Sequence, residues 1–168
     1  MAYVLVGFMG VGKTTIGNLL ARKLGLKFID IDEQIELEMN MKIKDIFEQY
    51  GETYFRTLEH NILKQHINMN IILATGGGII ENPNNISLLK ENKINIWVDT
   101  NINTVYNRIV NDVNRPNAMN KSFDAIKDLY FRRRSRYNEI AYISVNNDDE
   151  LSDCVQEIHN FIIAEEGN

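Results

Sequence analysis

The sequence is short of cysteine, of basic residues and of long apolar runs, and each shortage excludes a class of protein. Cys154 is the one cysteine among 168 residues, which excludes a disulfide framework and a metal site of several thiolates. No apolar run approaches the roughly 18 residues that a membrane-spanning helix needs. Asp and Glu total 23 against 18 Lys and Arg, a formal net charge of −5, which argues against a general nucleic-acid binder. Any phosphate binding must therefore come from a local site.

Length and composition predict a single globular domain over residues 1–168. The length fits one domain at roughly 100–200 residues each, and 44% hydrophobic residues are enough for a core. A strand pattern begins at residue 2 with no cationic leader before it, so we expect no signal peptide. We expect a monomeric cytoplasmic protein that binds neither a membrane nor nucleic acid.

Short apolar runs alternate along the chain with segments of helical periodicity. Each run is continuously apolar, which is typical of a parallel strand buried on both faces, so the pattern predicts an α/β fold. In such folds ligands bind beyond the carboxyl ends of the strands. The predicted strands are residues 2–6, 27–31, 71–74, 94–98 and 142–145. The predicted helices are residues 13–24, 33–39, 43–50, 52–67, 84–91, 102–111, 124–140 and 151–164.

Residues 7–14 read Gly-Phe-Met-Gly-Val-Gly-Lys-Thr and match the phosphate-loop pattern G-x-x-x-x-G-K-[ST]. The pattern follows a predicted strand and opens a helix, so backbone amides and the helix N-terminus can surround a phosphate. Lys13 is expected to reach the β- and γ-phosphates, and the Thr14 hydroxyl is expected to bind Mg²⁺. A glycine-rich turn without a ligand is the alternative. The candidate ATP-binding residues here are Gly10, Val11, Gly12, Lys13, Thr14 and Thr15.

Two aspartates stand at the end of the second predicted strand. Asp30 and Asp32 are two residues apart, and on a strand that spacing places both side chains on one face. Beside a phosphate loop, one carboxylate can hold the hydration shell of Mg²⁺ while the other accepts a hydroxyl proton. The alternative is structural, with Asp32 capping a helix that starts at Glu33.

Three consecutive glycines, Gly76, Gly77 and Gly78, follow the third predicted strand. Side chains at these positions would keep a ligand away from the backbone. We therefore expect a small substrate to lie against the main chain here. A flexible turn is the alternative, although one or two glycines normally suffice for that.

Arginines cluster in one predicted helix at positions 132, 133, 134 and 136. Arg133 falls on the apolar stripe of that helix, whereas the other three point elsewhere. Because an inward charge without a partner would be very costly, Arg133 should meet a carboxylate of the protein or of a substrate. A nucleic-acid patch and a solvated helix face are the alternatives for the cluster. The stripe consists of Ile126, Leu129, Tyr130, Arg133, Tyr137 and Ile140.

Two further arginines leave alternatives open. Arg56 is four residues from both Glu52 and His60, a spacing that is also compatible with a surface pair. Arg115 lies in an aperiodic polar stretch, residues 112–123, which we interpret as a mobile loop. An arginine on such a loop can complete the charge shell around a transferred phosphoryl group, or be an ordinary loop residue.

Taken in order, these features resemble the shikimate kinase family, a compact branch of the phosphate-loop kinases. The resemblance covers essentially the whole chain. The phosphate loop is shared by many nucleotide-binding proteins, whereas the order and spacing of the other features are far more specific. The matching features are residues 7–14, the Asp30-x-Asp32 pair, Gly51-Glu52-x-x-Phe55-Arg56, the glycines at 76–78, and Arg115-Pro116 followed by Arg133.

The resemblance implies a three-layer α/β/α sandwich with five parallel strands in the order 2-3-1-4-5. It implies transfer of the γ-phosphate of ATP to the 3-hydroxyl of shikimate, a step of aromatic amino-acid biosynthesis, with Mg²⁺ as the metal. It also implies substrate-binding helices at about residues 32–67 and a mobile lid at about 112–124. The alternatives are a kinase of another small hydroxy acid, such as gluconate, and a nucleotide-binding module without an acceptor.

The same resemblance implies roles for individual residues. Asp32 would bind the substrate hydroxyls and act as general base, and Asp30 would contact Mg²⁺ through water. Arg108 would pack against adenine, and Arg115 would reach over the phosphates. The expected catalytic residues are Lys13, Asp32 and Arg115, and the expected shikimate ligands are Asp32, Arg56, Gly77, Gly78 and Arg133.

The sequence departs from the family at three places, one of which is Asn117-Ala118-Met119 after Pro116, a stretch more polar than the usual apolar run. Residues 146–150 read Asn-Asn-Asp-Asp-Glu, where the family often has an adenine-facing Arg and Pro. Ser135 and Arg136 stand where the family often has Pro and Leu, which leaves a choice between Arg133 and Arg134. The apolar stripe and the spacing to Tyr137 both favour Arg133.

Overall fold

A computed structural model, which describes residues 1–110 and 121–167, contains one sheet of five parallel strands. The strands are β1 (Tyr3–Val6), β2 (Lys27–Asp30), β3 (Ile71–Ala74), β4 (Ile94–Asp99) and β5 (Ile143–Asn146). They lie in the order β2-β3-β1-β4-β5, which confirms the order implied by the family resemblance. β1 is central, with Leu5 opposite Ala74 of β3 and Ile96 of β4. The loops that follow β1, β2 and β3 therefore meet at one edge of the sheet.

Helices cover both faces of this sheet. They are α1 (Lys13–Leu24), α2 (Ile31–Met39), α3 (Ile43–His66), α4 (Pro83–Glu91), α5 (Ile102–Ile109), α6 (Phe123–Ile140) and α7 (Leu151–Glu166), and a 3₁₀ turn spans Ile79–Glu81. α1 packs against α7 on one face, while α3, α4 and α6 pack together on the other. Within the described ranges no helix is long and apolar enough to cross a membrane.

The hydrophobic core is densest around the central strands. Every residue of β1 and β3 is buried, as the continuous apolar runs predicted. In β2 and β5 only Ile29 and Val145 are buried, so the expectation of strands covered on both faces is wrong for these two. They form the edges of the sheet, where each strand has a single neighbour and more of its surface meets solvent.

Gly51, with φ 81° and ψ 172°, interrupts α3 with a non-helical conformation, as expected from the separate helices predicted at residues 43–50 and 52–67. One boundary differs from the sequence prediction in a way that affects the site. The second strand, predicted to reach residue 31, ends at Asp30, and α2 begins at Ile31. As a consequence Asp32 lies on a helix and not on a strand.

The predicted mobile lid falls mostly outside the described residues. Residues 112–120, including Arg115, are outside them, whereas 121–124 are described. Ser122 caps α6, because its side-chain oxygen accepts a hydrogen bond from the Ala125 amide at 3.2 Å. Such a cap fixes where α6 begins, and with it the placement of Arg133 three turns later.

Candidate active site

The loop between β1 and α1 has the backbone geometry that its glycines predict. Gly7 has φ 145°, and a Cβ there would lie 2.2 Å from the carbonyl oxygen of Val98. Gly12, with φ 103°, is the N-cap of α1, and a Cβ there would lie 2.9 Å from Asn147 Nδ2. A side chain at either position would strain the backbone and collide with a neighbour, so the loop requires glycine at both.

Lys13 and Thr14 occupy the first turn of α1 at the mouth of this loop. Lys13 is 7% exposed, and its Nζ donates hydrogen bonds to the carbonyl oxygens of Gly7 and Phe8, both at 2.7 Å. The Thr14 hydroxyl donates to Asp30 Oδ2 at 2.6 Å. An ammonium group, a hydroxyl and a carboxylate thus lie at one helix N-terminus, the arrangement that suits a metal-bound phosphate chain.

A cavity of about 420 Å³ opens over the loop; we call it the loop cavity. Arg108 enters it from α5 and donates from Nη1 to the Gly10 carbonyl oxygen at 3.1 Å. Asn147, from the stretch that departs from the family, also lines it and donates to the Val11 carbonyl oxygen at 2.8 Å. Its lining residues are Met9, Gly10, Gly12, Lys13, Thr14, Thr15, Asp30, Asp32, Thr75, Gly76, Gly77, Arg108, Asn147, Asp149 and Leu151.

Asp30 and Asp32 both reach this cavity, but not by the strand geometry that the sequence analysis assumed. Asp30 is the N-cap of α2, and its Oδ1 accepts from the Asp32 amide at 2.9 Å and from the Glu33 amide at 3.4 Å. The structural alternative, in which Asp32 caps a helix that starts at Glu33, is therefore wrong, since the N-cap is Asp30. Asp30 makes contacts through both carboxylate oxygens. Its Oδ1 caps α2, and its Oδ2 accepts a hydrogen bond from the Thr14 hydroxyl.

A second cavity, of about 480 Å³, lies beside the first and is called the arginine cavity here. The two cavities share the residues Met9, Thr14, Asp30, Asp32, Gly76 and Gly77. Lys121, which sequence reasoning missed, also contributes to the second cavity. Its remaining lining residues are Glu33, Glu36, Ile43, Phe47, Glu52, Phe55, Arg56, Glu59, Gly78, Leu129 and Arg133.

Arg56 is held by two glutamates of its own helix. Its Nη2 donates to Glu52 Oε1 at 3.2 Å, as the four-residue spacing allowed, and its Nη1 donates to both oxygens of Glu59, at 3.0 and 3.1 Å. His60 does not pair with Arg56, since its Nδ1 lies 2.7 Å from Asn85 Oδ1. The Arg56 side chain is 15% exposed, so it forms part of the cavity wall and not a surface ion pair.

Glu59, a titratable group with a strongly shifted pKa, was not predicted. It is fully buried, and burial raises its pKa to about 7; Arg56 counteracts this rise and the nearby charge of Asp32 adds to it. The sequence carries a signal for it, because Glu59 lies four residues after Phe55 and three before Ile62 on the apolar stripe of α3. The reasoning that singled out Arg133 applies equally to this residue.

The run of glycines makes room for charged side chains of the site itself. A Cβ at Gly78 would lie 2.3 Å from Arg56 Nη2, and one at Gly76 would lie 2.9 Å from Asp32 Oδ1. A Cβ at Gly77 would lie 3.0 Å from the backbone nitrogen of Met9. The three glycines are therefore needed because a Cβ would collide with the site's own side chains or backbone. The sequence analysis considered only the close approach of a ligand.

Arg133 lies on the buried side of α6, as the stripe predicted, and lines the arginine cavity. Its Nε donates to Glu81 Oε1 at 2.8 Å, and its guanidinium lies over the ring of Phe8 at 5.8 Å. Arg134 instead pairs with Asp99, away from the cavity-lining residues. Of the two arginines that the sequence left in question, Arg133 is the one at the cavity.

A comparison with known proteins identifies the family. The shikimate kinase family model matches residues 9–163. A shikimate kinase from Macrococcus caseolyticus is 99% identical over 168 residues, which is 100% of both chains. The chain belongs to the shikimate kinase family. As a member it is an ATP-dependent kinase that transfers a phosphoryl group to a hydroxyl of shikimate.

Solved shikimate kinases share the whole fold. The enzyme from Acinetobacter baumannii, solved in complex with shikimate, superimposes with a TM-score of 0.91 at 34% identity, over 98% of this chain and 93% of that one. The enzyme from Aquifex aeolicus has a TM-score of 0.85 at 34% identity, over 100% and 98% of the two chains. The shikimate kinase fold therefore accounts for the described residues, 1–110 and 121–167.

Proposed function

We propose that ATP binds in the loop cavity and shikimate in the arginine cavity, with the 3-hydroxyl facing the γ-phosphate at their shared edge. The observation that carries this proposal is the common lining, in which Asp32 borders both spaces. Lys13 lines the loop cavity and Arg133 lines the arginine cavity, so each substrate anion has a cation on its own side. The transferred group then crosses from one cavity to the other past Asp32.

Arg56 and Arg133 are the proposed ligands of the shikimate carboxylate. Their side chains are only 15% and 11% exposed, so little conformational freedom is left to lose on binding. A guanidinium group carries five donors in one plane and binds a carboxylate in bidentate fashion. Each arginine already has an internal carboxylate partner, which keeps a buried charge compensated before the substrate arrives. The substrate carboxylate uses further donor positions of the same two groups.

Asp32 is the proposed ligand of the shikimate hydroxyls and the proposed general base. It lies in the first turn of α2, where the helix dipole favours a negative charge. An ionised carboxylate only accepts hydrogen bonds, which suits a hydroxyl nucleophile. Phosphoryl transfer depends mainly on positioning and on stabilising charge, so orienting the hydroxyl is the larger part of this role. Gly77 and Gly78 complete the wall against which the ring would lie.

Thr14 and Asp30 are the residues proposed to hold Mg²⁺, with Asp30 acting through water. The donor set fits, because a hydroxyl and a carboxylate 2.6 Å apart at the phosphate loop are hard oxygen ligands. Within residues 1–110 and 121–167, no group of three or more His, Cys, Asp and Glu could hold a metal ion. Mg²⁺ that is bound mainly through nucleotide phosphates needs no such group, and when bound it offsets the charge of the β- and γ-phosphates.

Three further assignments complete the proposal for the nucleotide side. Lys13 would bind the β- and γ-phosphates with the amides of Gly10 to Thr15, and Arg108 would pack against adenine. Arg115, outside the described residues, would reach over the phosphates from a lid at about residues 112–124. The helices at about 32–67 would form the substrate-binding part of one domain. We propose a cytoplasmic monomer with ATP and shikimate as its partners.

Acceptor-dependent release of ADP tests this function. The protein is mixed with ATP and Mg²⁺, and ADP is followed by a coupled assay with shikimate, with gluconate and with no acceptor. We expect release with shikimate only, and NMR of the product should locate the phosphate on the 3-hydroxyl. Release with gluconate alone would indicate a different hydroxy-acid kinase. Tight nucleotide binding without acceptor-dependent release would indicate a non-catalytic module.

A further inference from the structure

We infer that Glu81 is a positioning residue of the shikimate site, which holds the Arg133 guanidinium so that its terminal nitrogens face the arginine cavity. The inference rests on the proposed role of Arg133 in binding the substrate carboxylate. Glu81 is the last residue of the 3₁₀ turn that follows Gly78. Its side chain therefore connects the turn after the glycine run to Arg133 of α6.

The ion pair between these residues is made at one side of the guanidinium group. Arg133 Nε donates to Glu81 Oε1 at 2.8 Å, and the two side chains are 11% and 36% exposed. A carboxylate bound at Nε leaves the edge formed by Nη1 and Nη2 for a second, planar partner. Nη1 lies on the side of Gly77, since a Cβ there would be 3.6 Å from it. Gly77 lines both cavities, so this edge faces the proposed substrate.

Other contacts hold the turn and the helix, and one of them also reaches the Arg133 side chain. Tyr137 donates from its hydroxyl to the Gly77 carbonyl oxygen at 2.5 Å and is hydrogen-bonded to the Arg133 side chain, and Arg136 donates to the Ile80 carbonyl oxygen at 3.0 Å. The Phe8 ring, 5.8 Å from the guanidinium carbon, supports one face of Arg133 without selecting an in-plane orientation. Glu81 supplies the charged partner at Nε, whereas the Tyr137 hydroxyl is neutral, so we assign the larger part in holding the orientation to the ion pair with Glu81.

The charge and the geometry of Glu81 should affect shikimate binding in opposite directions. A carboxylate beside Arg133 weakens the attraction of that arginine for a substrate anion. The same carboxylate keeps the guanidinium in the orientation that binds the anion well. Glu81→Gln retains an oxygen that can accept from Nε and removes the charge, whereas Glu81→Ala removes both.

Steady-state kinetics with shikimate and ATP as varied substrates separate these effects. For E81A we expect the KM for shikimate to rise about tenfold, the result of losing roughly 1.4 kcal/mol of binding. The KM for ATP and the melting temperature should match those of the control variant Glu91→Ala, an exposed glutamate at the end of α4. For E81Q the KM for shikimate should stay at the wild-type value or fall.

Three outcomes would overturn the inference. They are an unchanged or lower KM for shikimate in E81A, an equal rise of both substrate KM values, and a rise in E81Q as large as that in E81A. If E81A does not fold, Glu81→Asp shortens the reach by one methylene and should also raise the KM for shikimate; an unchanged value would refute the positioning role.

Arg133→Ala distinguishes failure of this inference from failure of the proposed function. A rise in the KM for shikimate in R133A with none in E81A refutes only the role of Glu81. No change in R133A refutes the role proposed for Arg133 itself. If both proposals hold, adding E81A to R133A has no further effect on that KM, because Glu81 acts through the arginine.

Discussion

Glu59 makes a sharp prediction about how stability depends on pH. Replacing it with glutamine keeps an oxygen that can accept from Arg56 and removes the titrating group. In the folded protein, burial raises the pKa of Glu59 to about 7, against 4.5 for an ordinary glutamate. The unfolded chain leaves this side chain in water, so its pKa there is the ordinary one. Between about pH 4.5 and pH 7 the folded and the unfolded protein therefore bind different numbers of protons.

The sign of the effect follows from this difference. Between about pH 4.5 and pH 7 the folded protein keeps a proton on Glu59 that the unfolded chain has released, so raising the pH favours unfolding. The stabilising contribution is complete below about pH 4.5 and is lost as the pH rises through about 7. At about 1.4 kcal/mol per pKa unit the whole loss is about 3 kcal/mol, of which about 2 kcal/mol falls between about pH 5.5 and 8.

Urea denaturation of the wild type and of Glu59→Gln over that interval measures the effect. The free energy of unfolding of the wild type, minus that of the variant, should fall by about 2 kcal/mol as the pH rises. Glu91→Gln, at an exposed position, serves as the matched control for removing a glutamate. A flat difference for E59Q would mean that Glu59 titrates alike in both states, and the argument from its burial would then be refuted.

Three other substitutions test the proposed roles. Asp32→Asn and Arg133→Ala should each lower kcat/KM for shikimate by at least about 100-fold, the effect of losing a charged contact of roughly 3 kcal/mol, with far-ultraviolet circular dichroism unchanged. Gly78→Ala should raise the KM for shikimate by displacing the guanidinium 2.3 Å from the new Cβ, whereas Gly167→Ala, whose Cβ would meet its nearest neighbour at 3.5 Å, should not. Arg108→Ala should raise the KM for ATP about tenfold, the effect of roughly 1.4 kcal/mol, and leave that for shikimate unchanged.

Local sequence patterns predicted the elements of the fold well where a single physical effect dominates. The third strand, predicted at residues 71–74, is β3 (Ile71–Ala74). A short, continuously apolar run between polar segments is typical of a strand that is buried on both faces, so the prediction was straightforward. The end of β2 was mispredicted because two effects compete there. Ile31 continues the apolar pattern of Phe28 and Ile29, but the Asp30 side chain between them caps the backbone, and a helix starts at Ile31.

The strand order could not come from such patterns. It depends on pairings between distant residues, such as Val6 with Trp97, and the family resemblance supplied it. Parallel strands are joined by helical crossovers, so the local pattern of each strand is the same whichever neighbour it has. A relative with the same series of motifs carries that long-range information.

The site shows the same division between local and distant information. Helical periodicity was enough to predict that Arg133 is buried, and the same periodicity would have identified Glu59, which was not predicted. The partner of Arg133 was not predictable in this way, because Glu81 is 52 residues away on a short turn with no periodic pattern. Burial of a charge can thus be read from its own helix, whereas the identity of its partner depends on the tertiary fold.

An acid-rich cavity can still select an anion, and the arrangement of its arginines explains how. Asp32, Glu52 and Glu59 line the same cavity as Arg56 and Arg133. If net charge decided binding, such a wall would repel a carboxylate. Arg133, however, is already paired with Glu81 through Nε, and Arg56 is paired with Glu59 and Glu52 through its two terminal nitrogens, which compensates the cost of burying both arginines. If this cavity binds the substrate carboxylate as proposed, the donors left to the substrate are few and oriented, so recognition would depend on matching a planar carboxylate at a set distance from Asp32. A more positive cavity would attract many anions, whereas the proposed site would favour an anion whose hydroxyls also reach the aspartate.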